Sequence, residues 1–238
     1  MKFLITQRIS SGIAIPDGKN LIISSFTFLP DFEGEQQARH VKTTVEANTK
    51  EEAVEKANKL FRDFFGKLTL IDNSKYILND DISVGEVGGI ETTTTRTISG
   101  RSFIIKDGTN IKNTYENEIE NKHFRIRPIR LYRDAVNTNN LFEKYRNFYR
   151  VLECYGNTKP ITDWIKKQEG NVLMKKNNRG DDITIYTWIR IKLSHSKNNK
   201  KDLVPFSISD SENVATVNKY LPKIQELARR KIKEEEKI

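Results

Sequence analysis

Arg190 and His195 are the two side chains whose types and spacing most suggest chemistry. A neutral imidazole titrates near working pH, so it can take a proton from a 2′-hydroxyl or give one to a leaving oxygen. A guanidinium offers parallel donors to a phosphate and stabilises a pentacoordinate transition state. Together they suit RNA scission without a metal. On an unbroken helix five steps of about 100° leave the two side chains roughly 140° apart. They converge only where the helix ends near Ser194, or where the Arg and His of two subunits meet. The residues after His195, Ser196-Lys197-Asn198-Asn199-Lys200-Lys201, are turn formers and cations and favour the first route. In this reading Lys192, Lys197, Lys200 and Lys201 hold the RNA backbone, and Ser194 either bonds a phosphate or caps the helix end.

Other reactive residue types have structural readings. His40 lies in a strand-like run and His123 in the basic stretch Lys122-His123-Phe124-Arg125-Ile126-Arg127. The adjacent pairs Asp80-Asp81 and Asp181-Asp182 diverge on a strand or a helix and read as turn and cap residues, not as a two-metal site. Cys154, on an apolar helix, reads as a small hydrophobe. Gly85, Gly88 and Gly89 lack the Lys-Ser/Thr that follows a phosphate loop. No metal or cofactor is expected.

The elements that must position Arg190 and His195 fall into two groups. Residues 2–9, 20–29 and 39–45, and then 67–71, 75–78, 89–98 and 101–106, are rich in Ile, Phe, Val and Thr between turn formers and read as strands. The Thr run 92–95 leaves strand register open. Between the groups Thr49-Lys50-Glu51-Glu52 is a capping box opening a helix with Ala53, Ala57, Leu60, Phe61 and Phe64 on one face. The polar segment 107–121 reads as a linker. Beyond it the period becomes helical. Leu141, Tyr145, Phe148, Leu152 and Tyr155 mark a helix from Asn139 or Asn140 to Gly156. Pro160 starts a short helix with Ile161, Trp164 and Ile165. Asp181 or Asp182 caps a helix over 183–193. Ser209-Asp210-Ser211-Glu212 is a second capping box, ahead of a helix that Pro222 kinks or divides near Leu221, with a fraying tail over 231–238. The expected class is therefore α+β: a β-rich domain over 1–121 with one covering helix, then an all-α bundle of four to five helices over 126–238.

Composition narrows the class further. Twelve Phe, eight Tyr and two Trp in 238 residues supply a core despite a 36% hydrophobic content, so a wholly disordered chain is excluded. One Cys rules out an intramolecular disulfide and a thiolate zinc cage, and fits a reducing, cytoplasmic setting. Neither an 18-residue apolar run nor a secretory apolar segment is present, so no membrane partner is expected. Charge is divided unevenly. Residues 1–125 hold 17 basic and 18 acidic residues, whereas 126–238 hold 24 basic and 14 acidic, a net of +10. A segment this basic attracts phosphate polyanions by counterion release, which makes RNA the expected partner.

The segment Arg190-Ile191-Lys192-Leu193-Ser194-His195 resembles the Arg-x4–6-His signature of the HEPN superfamily of helical domains. Phe148-Tyr149-Arg150-Val151-Leu152-Glu153 resembles the first long helix of bacterial members, so the likeness covers about residues 126–238. The resemblance implies a four- or five-helix bundle that pairs as a homodimer and brings both motifs into one cleft. It implies a metal-independent endoribonuclease of a bacterial defence or toxin system, with Arg190 and His195 catalytic and a possible partner protein in a larger complex. Ile191 stands where the family usually carries a polar residue. That departure favours a second reading: an inactive dimerisation module that binds RNA or protein. In the endoribonuclease reading, domain order alone suggests that the first domain senses a trigger or holds the partner.

Overall fold

Alternation of buried and half-exposed residues along β1 (Lys2–Ser10) is the pattern of a strand with one face on a core. In the computed structural model, which describes residues 1–10, 13–16, 20–32, 35–87, 106–177, 179–194 and 205–238, β1 lies inside a five-stranded sheet. Its other strands are β3 (Leu21–Ile23), β4 (Phe26–Leu29), β5 (His40–Glu46) and β6 (Ile77–Glu86), in the order β3-β4-β5-β1-β6. β1 pairs antiparallel with β5, Phe3 opposite Val45, and with β6, Ile5 opposite Val84. β2 (Ile13–Ala14) pairs in parallel with β7 (Lys106–Asp107). The chain divides into two units, Met1–His123 and Phe124–Ile238.

In the first unit, α1 (Lys50–Asp72) carries the expected cap: Thr49 Oγ1 accepts from Glu52 N at 3.2 Å, and Glu52 Oε2 accepts from Asn48 N at 2.8 Å. Its apolar face buries Ala53, Ala57, Phe61, Phe64, Phe65 and Leu68. Phe64 stacks on Phe26 of the sheet with ring centroids 4.1 Å apart. Residues 67–71, expected as a strand, continue this helix, because Leu68 and Leu70 extend the buried face until Asn73 closes it with φ 59°. The expected linker 107–121 is also largely helix. Asp107 caps α2 (Gly108–Glu118), and Ile111, Tyr115 and Ile119, four apart, are buried. Three apolar residues among many Asn and Glu gave that stripe a weak sequence signal. The strands expected over 89–98 and 101–106 lie outside the described residues, apart from Lys106.

The second unit holds α3 (Ile126–Asn137), α4 (Leu141–Glu153), α5 (Thr158–Glu169), the hairpin β8 (Met174–Lys176) and β9 (Asp182–Thr184), α6 (Ile185–Ser194) and α7 (Ser211–Glu236). α4 is central and touches each of the other four helices. Asn140 Oδ1 caps it by accepting from Phe142 N and Glu143 N, and Tyr145, Phe148, Tyr149, Val151 and Leu152 are buried along it.

Several local expectations change in this unit. α3 was masked in the sequence by its arginines, yet Ile129, Tyr132 and Val136 form a buried face. Asp181 and Asp182 do not cap α6. Asp182 pairs with Lys176 across the hairpin, and Thr184 Oγ1 accepts from Thr187 N at the helix start. α7 runs through Pro222, since buried Val217, Ile224, Leu227, Ala228 and Ile232 hold both halves on one face. Asp210 alone supplies its cap, accepting from Glu212 N and Asn213 N. The tail is tied down: Trp164 Nε1 donates to Glu234 at 2.7 Å and the Tyr155 hydroxyl to Glu236 at 2.9 Å.

Candidate functional site

Two hydroxyl contacts fix α6 against α4, and a third ties α6 to β9. The Tyr145 hydroxyl donates to the Tyr186 carbonyl at 3.2 Å, the Tyr149 hydroxyl and Thr187 Oγ1 lie 2.8 Å apart, and Thr187 in turn meets Thr184 at 3.1 Å. All are buried, and burial pushes the Tyr149 phenol up to about 12, the Thr187 bond opposing the rise. The partners advance along both helices together, so Arg190, one turn beyond Thr187, meets the last turn of α4. There Arg190 Nη2 lies 2.7 Å from Glu153 Oε1.

Arg146 of α4 is within electrostatic reach of Arg150, one turn on along the same helix, and of Arg190 on α6. Arg146 pairs with Glu143, and Arg150 Nη1 donates to Asn147 Oδ1 at 3.4 Å. Burial, followed by repulsion from Arg150 and Arg190, lowers the proton affinity of Arg146. Among the described residues no acceptor meets Arg146 Nε or Arg190 Nε, although both atoms are buried.

A second feature opens on another side of α6. A cleft of about 870 Å³ is lined by Lys159 and Lys166 of α5, Lys176 and Arg179 of the hairpin, and Trp188 and Ile191 of α6, with Asp163, Asp181 and Asp182 at its wall. Lys176 pairs with Asp182 at 2.8 Å. The half-buried Trp188 ring has the ammonium groups of Lys192 and Lys175 at 5.4 and 5.8 Å from its centroid and meets Phe206 edge to face, ring centroids 5.6 Å apart.

Of the residues singled out from sequence, Arg190 is bound to Glu153, Lys192 lies over Trp188, and Ser194 is the last residue of α6. His195, Lys197, Lys200 and Lys201 lie outside the described residues. Ile191 faces the cleft. His40 Nδ1 meets Asp31 at 3.1 Å, which is the structural role its strand suggests. Cys154 is half-buried, and burial pushes its thiol up. Among the described residues no cluster of three or more His, Cys, Asp or Glu could hold a metal, and no helix is long and apolar enough to cross a membrane.

Sequence reasoning missed Glu153 and Arg146 as neighbours of Arg190, and Arg150 as a neighbour of Arg146. The four-residue spacing of Arg146 and Arg150 on a helix already assigned was a usable signal. Nothing comparable links Lys159, Lys166, Lys176 and Arg179, which a hairpin and two helices bring together.

Fold and site define a two-unit α+β protein: a β-rich unit with a helix-covered sheet, then a basic unit of several helices. A family model described as methylamine utilization protein MauJ matches residues 128–233, from α3 into α7. That match corrects the HEPN resemblance, since MauJ is a different family and no HEPN model matches. The short pattern misled for a physical reason: a basic amphipathic helix with a His just past its end satisfies Arg-x4-His without any shared ancestry. No curated protein and no solved structure matches the chain.

Proposed function

We propose that the helical unit binds single-stranded RNA without cutting it, the strand lying in the cleft between α5, the β8–β9 hairpin and α6. The observation that carries this reading is the meeting of Lys159, Lys166, Lys176 and Arg179 with Trp188 in one open cleft. Single-strand binders combine a cationic groove along the phosphates with aromatic side chains that stack on bases. The net +10 of residues 126–238 supplies the longer-range attraction. Scission is not favoured, because among the described residues the cleft is lined by no histidine, and Arg190 is not part of its lining.

The MauJ description names methylamine utilization. A methylammonium cation needs carboxylates and an aromatic face at its disposal. In the cleft Asp182 is paired with Lys176 and Asp181 accepts from Asn177, and Lys159, Lys166 and Arg179 stand beside the one further carboxylate of the lining, Asp163. These observations favour an anionic ligand.

Fluorescence anisotropy with a labelled oligouridine tests the reading. Trp188→Ala should weaken binding by about tenfold, the typical worth of one base stack. Neutralising both Lys166 and Arg179 to Gln should lower the slope of affinity against salt by about 1.4, at ~0.7 per phosphate contact. Unchanged affinity and slope in these variants would exclude the cleft.

A further inference from the structure

We propose that Arg146, Arg150 and Arg190 form a second anion site, distinct from the cleft, that takes a phosphoryl dianion, with Glu153 as the carboxylate the anion displaces. Among the described residues Arg146 pairs with Glu143 and Arg190 with Glu153, while Arg150 donates to the neutral Asn147. Buried hydroxyl contacts between α4 and α6 hold the two helices that carry these arginines, of which Arg146 and Arg190 are part-buried and Arg150 is exposed. Buried N–H groups are ordinarily satisfied, and one left without an acceptor is costly. Arg146 Nε and Arg190 Nε have no acceptor among the described residues. Both Nε atoms are closed to solvent while Glu143 and Glu153 are in place, yet the side chains themselves keep 29% and 30% of their surface exposed to an arriving anion.

The chemistry selects the ligand. A planar carboxylate offers two oxygens in one plane and one negative charge, which Glu153 already supplies. A tetrahedral phosphoryl group offers oxygens in several directions and close to two charges, matching three guanidinium groups that approach from two helices. Glu153 is at the end of α4, is exposed at its backbone turn, and can swing away as the anion arrives.

Isothermal titration calorimetry on the full chain, with no RNA present, tests this independently of the cleft. Inorganic phosphate should bind saturably at one site. Glu153→Gln removes the competing charge and should tighten binding by about tenfold, the scale of one charge-assisted hydrogen bond. A misfolded variant cannot produce such a gain. Arg146→Gln should weaken binding by at least as much. Uridine 5′-monophosphate, titrated in parallel, distinguishes the source: equal affinity assigns the site to a free phosphoryl group, and tighter binding assigns it to a nucleotide's. The absence of a saturable phosphate isotherm, or an E153Q chain no tighter than wild type, would overturn the proposal, as would an R146Q chain with wild-type affinity.

Discussion

At the scale of single residues, the contact that joins α4 to α6 governs what the site can present. Tyr149 and Thr187 share a buried bond, and burial raises the Tyr149 phenol to about 12. The ordinary phenol titrates near 10 in the unfolded chain. The folded state therefore favours the neutral phenol. This contribution is fully present below about pH 10 and is lost as pH rises towards about 12, because the unfolded chain gives up its proton first. Tyr149→Phe should remove that part of the alkaline loss of stability while costing about 1 kcal/mol at neutral pH for the missing bond. Urea unfolding at neutral pH and near pH 11 measures both. An identical pH dependence in wild type and variant would show that Tyr149 is not held neutral by its surroundings. Arg190 illustrates the limit of residue-level reading: its type was visible in the sequence, but its partner Glu153 lies 37 positions away and is set by helix packing.

At the scale of elements, local signals were legible wherever a cap and a strong apolar stripe coincided. Thr49 with α1 and Asn140 with α4 are such cases, because each cap bonds amides within its own first turn. α2 and α3 escaped notice because polar or cationic residues dilute their stripes, and β8–β9 escaped because a three-residue strand has too few positions to show a period. Gly108, the first residue of α2, marks a constraint no local pattern reveals. A Cβ there would sit 2.1 Å from the Ala14 carbonyl oxygen and 2.6 Å from Leu21 Cδ2. Gly108→Ala should cost about 1–3 kcal/mol, as overpacking does, seen as an earlier unfolding midpoint. No loss of stability would show that α2 can shift freely on β2. By comparison Asn140→Ala should cost about 1 kcal/mol by loss of the α4 cap. A far-ultraviolet melt of each variant checks both values.

At the scale of the whole molecule, the division of charge is the feature that sequence and structure share. It was legible because net charge needs no fold: residues 126–238 carry their +10 whatever path they take. The expectation of a β-rich part followed by a helical part was legible for a related reason, the change of apolar period along the chain. The cleft was not, because it is made by three elements meeting in space. The HEPN likeness failed at this scale as well: a six-residue pattern was asked to stand for a whole bundle, and the family match over residues 128–233 points elsewhere.

The most direct test of binding without scission is one titration of the full wild-type chain into labelled oligouridine, in EDTA, with the RNA run on a denaturing gel afterwards. The account predicts a saturable rise in anisotropy that weakens steeply with added salt, and RNA recovered at full length. No rise at low salt would contradict it, and so would shortened RNA whose appearance is lost in His195→Ala.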